Sequence, residues 1–130
     1  MVKNRPAVSF VLAVVVGPSV WIGIAMSAGV AEAWDHRAYW QVGYPVLAIA
    51  SGIGGYFAPR QAWRWPLIMM VSQMAVLLVQ KPTGNLLPLG IIAFLVLAAP
   101  LLIPAYIGAA LALDRARRAD AGRRTRNERE

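Results

Sequence analysis

LLPLGIIAFLVLAAPLLIPAYIGAALAL, residues 86–113, runs without one charged side chain, and DRARRADAGRRTRNERE, residues 114–130, follows at once. A helix needs about 20 predominantly apolar residues to cross the hydrocarbon of a bilayer, and this stretch exceeds that length. Seven arginines then crowd the end of the chain: Arg115, Arg117, Arg118, Arg123, Arg124, Arg126 and Arg129. An apolar run closed by arginines is the pattern of a spanning helix whose end is retained on the cytoplasmic side.

Upstream, three more apolar stretches meet or approach the same length, at about residues 7–33, 39–58 and 63–79. The breaks between the four are EAWDHR, APRQ and QKPTGN, each carrying a proline or a group of charges at which a helical hairpin turns. The third stretch is the shortest and holds Gln73 near its middle, whereas the first and last exceed a bilayer's needs and must tilt, kink or project. Kinks are expected at Pro18, Pro100 and Pro104, because proline removes an intrahelical donor and clashes with the preceding turn. The basic start at Lys3 and Arg5 and the small-x-small motif Ala31-Glu32-Ala33 imitate a cleaved signal sequence. The apolar run between them is far longer than the about 7–15 residues of a signal core, so it is expected to stay as a span.

Composition agrees with a lipid solvent. Hydrophobic residues make up 58% of the chain, mean hydropathy is +0.54, and the 15% of charged residues lie at the termini and in the breaks. A net charge of +7 can indicate a nucleic-acid partner, but most of the excess sits in one short tail, and no nucleic-acid partner is expected. The chain has no cysteine, which excludes disulfides and thiolate metal sites. His36 is the single histidine, so paired histidine ligation of a haem within one chain is excluded as well. No metal or cofactor is expected.

Positive charge sets orientation. Lys3, Arg5, Arg60, Arg64 and the seven tail arginines fall on one side of a four-span chain, leaving only Arg37 and Lys81 on the other. Both termini are therefore expected in the cytoplasm, and a bias this strong argues against insertion in two orientations. Trp34, Tyr39, Trp40 and Tyr44 gather at the outer edge and Tyr56, Phe57, Trp63 and Trp65 at the inner one, as amphipathic rings do at headgroup depth. Trp21 falls near mid-span and is expected to face a neighbouring helix or a lipid tail.

Helices in lipid associate where small residues let backbones approach. The candidates are Ala25 and Gly29 with Ala33 in the first span, Ser51, Gly52 and Gly55 in the second, and Gly108 in the fourth, with Gln73 as an interhelical hydrogen-bonding group beside Ser72. The run SGIGG at 51–55 reads as close packing, with a flexible or unwound point lining a path as the alternative. No ionisable residue stands near the centre of any span, which weighs against a proton-coupled pump or metal transport. Glu32, Asp35, His36 and Arg37 form the one compact polar cluster, on the outer side, and read as a solvated loop end. In the second outer loop Pro82 and Gly84 favour a reversal, Asn85 caps the fourth helix, and Pro88 lies in its first turn.

The sequence thus predicts an all-α membrane protein with four transmembrane helices packed as a small helical bundle over residues 1–113, N-in and C-in, and a basic cytoplasmic tail at 114–130. Arg60, Arg64, Arg115, Arg117 and Arg118 are its expected membrane-surface anchors, the tail meeting anionic headgroups before it frays, with Gly122 interrupting its helical potential. Abundant Ala and Arg and compact loops point to a bacterial inner membrane. By elimination the expected role is non-enzymatic: an accessory or assembly subunit, or a lipid-interacting one, within a protein complex or homo-oligomer. A channel or carrier for a neutral or apolar solute is the alternative, and a membrane enzyme acting on a lipid headgroup the second.

Overall fold

The computed structural model describes residues 4–30, 33–80 and 87–130. The described residues form four α-helices and no strand: α1 Pro6–Ala28, α2 Tyr44–Phe57, α3 Arg64–Gln80 and α4 Leu87–Asn127. Short 3-10 turns at Ala33–Asp35 and Pro59–Gln61 join them, and a π turn at Tyr39–Gly43 leads into α2. Two of the helices, α1 and α4, are long and apolar enough to cross a membrane.

Local chemistry explains where these helices start and stop. Pro6 occupies the first turn of α1, where its missing N–H costs nothing. At the other end Gly29 takes a left-handed φ of 66°, and the N–H groups of Gly29 and Val30 both bond the Ala25 carbonyl. This corrects the expected first span of 7–33: the helix ends at Ala28, and Gly29 is an exposed C-terminal cap rather than a packing residue. Ahead of α2, Pro45 has no N–H to give and would crowd the carbonyl of Gln41. The backbone widens there, and Tyr44 N–H reaches back five residues to Tyr39.

α1 stays helical through Pro18, and α4 through Pro100, Pro104 and Gly122 to Asn127. The tail therefore prolongs α4, which corrects the expected interruption at Gly122. Ala and Arg are strong helix formers, and their sum outweighs the about 1 kcal/mol that one glycine costs.

Each helix packs most on the one two places along the chain: α2 on α4, and α1 on α3. Tyr44 Oη donates to the Leu97 carbonyl at 2.6 Å, Gly52 faces Pro104, and Arg115 reaches Tyr56, so numbering rises together and α2 runs parallel to α4. Phe10 shares a groove with Trp65 and Ile68, and Gly17 lies against Met69, so α1 runs parallel to α3. The first hairpin, α1 with α2, is thus laid beside the second, α3 with α4.

Polar groups lie inside. Among the described residues, the buried polar side chains are Ser9, Ser51 and Gln73, and each has a partner. Ser9 Oγ donates to the Gly54 carbonyl at 2.8 Å, tying α1 to α2. Gln73 accepts from Tyr39 Oη at 2.9 Å and donates to the Gly17 carbonyl at 3.1 Å. Ser72 instead bonds back to the Met69 carbonyl of its own helix, so Gln73 pairs across the core and not with its neighbour.

Trp21 is fully buried, edge-on to Trp34 at 5.3 Å and Tyr39 at 6.1 Å, with Phe94 of α4 at 5.6 Å. Of the two surroundings the sequence allows it, a neighbouring helix is the one found. Its indole N–H is the one buried side-chain group among the described residues without an acceptor.

Candidate functional site

Two ends of the molecule carry groups of chemical interest. At one end, Asp35, His36 and Arg37 are exposed, and His36 Nδ1 accepts the Ala38 N–H at 3.1 Å, a local turn contact. Glu32, the fourth member of that expected cluster, lies outside the described residues, as do Lys81, Pro82, Gly84 and Asn85 of the second expected outer loop. Among the described residues no group of His, Cys, Asp or Glu is arranged to hold a metal ion.

The opposite end is basic. Arg5 N–H donates to the Phe57 carbonyl at 2.8 Å, which brings the start of α1 to the end of α2, and the Pro59–Gln61 turn leads from there into α3. Arg115 Nη1 donates to Tyr56 Oη at 3.0 Å and fixes the corresponding height on α4. Arg5, Arg60, Arg64 and Arg115 therefore share this end, all exposed. Arg117 and Arg118 follow on the projecting part of α4, where Arg118 pairs with Asp114 at 2.9 Å.

Beneath the basic rim, between α1 and α3, lies an open groove of about 250 Å³. Pro6, Ala7 and Phe10 form one wall, Gln61, Arg64 and Ile68 the other, with Trp65 between them. Trp65 is buried and its indole N–H points to the Ala58 carbonyl at 3.4 Å, so the ring is held from behind. Arg64 Nη1 donates to Gln61 Oε1 at 3.0 Å, a neutral acceptor that orients the guanidinium without cancelling its charge. The Gln61–Arg64 spacing, three apart at a helix start, is visible in the sequence; that α1 meets it through Phe10 is not.

The expected packing residues sort by contact. A side chain on Gly55 would overlap the Ala105 carbonyl, and one on Gly108 would overlap that of Gly52, so α2 and α4 meet backbone to backbone. Ala25 and Ser51 are buried, and Ser51 Oγ sits 3.8 Å from Met69 Sδ. The SGIGG segment is helical throughout, with Gly54 against the Trp65 ring. Sequence reasoning passed over Gly17, where a Cβ would come 2.7 Å from the Met69 carbonyl oxygen, and Gly43, where it would meet Ile24 and Val20. Gly43 stands outside any small-x-x-x-small pattern, but Gly17 continues the series Ser9, Ala13, Gly17, all buried, so its signal was present in the sequence.

Comparison with protein families, with curated proteins and with solved structures finds no match to this chain.

Proposed function

We propose that this chain is a small, non-enzymatic, multi-pass protein of a cell inner membrane, a four-helix bundle with both termini cytoplasmic that acts as a lipid-interacting accessory subunit. One observation carries the reading: the apolar helices turn most of their surface outward instead of into the core. Only 22% of the most apolar window of α1, and 22% of that of α4, is buried, whereas the core helix of a water-soluble protein is mostly buried. Phe10, Val11, Met26, Ile49, Val71, Val96, Ile103 and Ile107 all face outward. Water-soluble monomers do not carry apolar surface on this scale, and lipid is the solvent that accepts it.

Length alone supports two spans, α1 and α4; α2 has 14 residues, preceded by the five-residue π turn. α3 has 17 residues, about 26 Å of helix, against a hydrocarbon slab of about 30 Å. The Arg5–Arg60–Arg64–Arg115 end meets the cytoplasmic leaflet under the positive-inside rule. From Arg115 to Asn127, α4 rises a further distance of about 18 Å, so Arg123, Arg124 and Arg126 stand more than a screening length of about 8 Å beyond the headgroups. Of the tail, Arg115, Arg117 and Arg118 are the residues we infer to meet anionic lipid.

Membrane extraction tests the proposal. The chain is expected to remain in the membrane pellet through an alkaline carbonate wash and to dissolve only with detergent. A monodisperse solution without detergent would overturn it.

A further inference from the structure

The two parallel helix pairs differ at the basic end. α2 and α4 stay closed through Gly52, Gly55 and Gly108, while α1 and α3 part around Phe10 and Trp65 and leave the groove open. Its lining is graded along the helix axes. Pro6, Gln61 and Arg64 stand at the mouth; Phe10 and Ile68, each one turn further along its helix, line the deeper part. A charged mouth over an apolar trough is the profile of a lipid, with headgroup above and chain below.

Charge decides which lipid. Among the described residues Arg64 is the one charged residue of the lining, and Arg5 and Arg60 are exposed at the same end. Gln61 engages one of the five guanidinium N–H donors of Arg64, and the planar fork that remains matches a phosphate's oxygens. Among the described residues no carboxylate lines the groove to repel the anion or take its place. We propose that the α1–α3 groove binds one acidic glycerophospholipid, its phosphate on the Arg64 guanidinium and one acyl chain along Phe10 and Ile68. This inference rests on the bilayer reading above and assigns that reading a specific lipid contact.

Native mass spectrometry of the full chain, released from detergent with phosphatidylglycerol or phosphatidylcholine of identical chains, tests the site. Wild type is expected to retain one phosphatidylglycerol in preference to phosphatidylcholine. Arg64→Gln should weaken that binding roughly tenfold, as loss of one bidentate charge-assisted contact does, while Arg124→Gln far along the projecting helix leaves it unchanged. Ile68→Trp, which fills the trough, should exclude the lipid whatever its headgroup. Thermal unfolding separates lipid from free anion: phosphatidylglycerol raises the midpoint and inorganic phosphate does not.

Equal retention by wild type and Arg64→Gln, or a phosphate shift as large as the lipid's, would overturn the inference. Arg64→Gln replaces an exposed side chain and carries the headgroup test; Ile68 is half-buried against the core, so Ile68→Trp is read together with its unfolding midpoint in lipid-free detergent. A chain that stays in the membrane yet shows no lipid preference refutes the groove alone. Dissolution without detergent refutes the membrane reading as well.

Discussion

The α2–α4 and α1–α3 pairs have the same relative direction and different contact chemistry. In the first, glycines on both helices let carbonyl oxygens of one helix sit where side chains of the other would be. In the second, the glycine at close approach is Gly17, and toward the basic end Phe10, Trp65 and Ile68 line an open groove. Packing in lipid is governed by how near backbones can come, because burial of apolar surface gives helices little reason to associate there. One pair therefore supplies the rigid seam, and the other supplies the opening.

The sharpest way to break this contrast is to put a large side chain in the closed seam. Gly55→Leu must displace the α4 backbone at Ala105 and is expected to cost about 3 kcal/mol, the upper part of the overpacking range, read as a fall in the thermal midpoint in detergent. Gly90→Ala, where an added methyl meets nothing, should leave the midpoint unchanged or slightly raised. If the two variants unfold alike, the seam is not where stability resides.

A smaller effect is expected in the α1–α3 pair. Gln73→Leu strands Tyr39 Oη and the Gly17 carbonyl and should cost about 1 kcal/mol, as interhelical hydrogen bonds in membranes do. Tyr39→Phe removes one end of the same bond, so the double variant should cost less than the two single ones together. Additive costs would mean that the residues act independently.

The smallest change is expected outside both pairs. Truncation after Ala119 removes the distal arginines, of which Arg126 pairs with Glu130 four residues on. It should alter stability by less than about 0.5 kcal/mol and leave phosphatidylglycerol retention intact. A loss of lipid binding on truncation would move the site from the groove to the tail.

Much of the helical architecture is legible in the sequence because contrast in hydropathy marks it. Pro59 and Arg60 separate α2 from α3, and α4 begins at Leu87, two residues after Asn85 closes a stretch rich in turn formers. Contrast is silent on which faces meet. Nothing in the local pattern tells that α1 adjoins α3, that Trp21 joins Trp34, Tyr39 and Phe94, or that Phe10 and Arg64 border one groove. Glycine spacing misled in one place and helped in another for the same reason. Gly29 and Gly55 look alike as small residues, but one adopts a left-handed φ at a helix end and the other faces a carbonyl of α4. Gly122 misled because the arginines and alanines around it favour helix strongly enough to continue through it.

Labelling of single cysteines introduced into this cysteine-free chain tests the proposed topology most directly. Asp35→Cys, Arg60→Cys and Arg117→Cys all place the thiol at exposed positions, the first at the end opposite the other two. With a membrane-impermeant maleimide on intact cells, the account predicts labelling of position 35 alone, with 60 and 117 reacting only after lysis. Labelling of 117 from outside, or of all three alike, would contradict it.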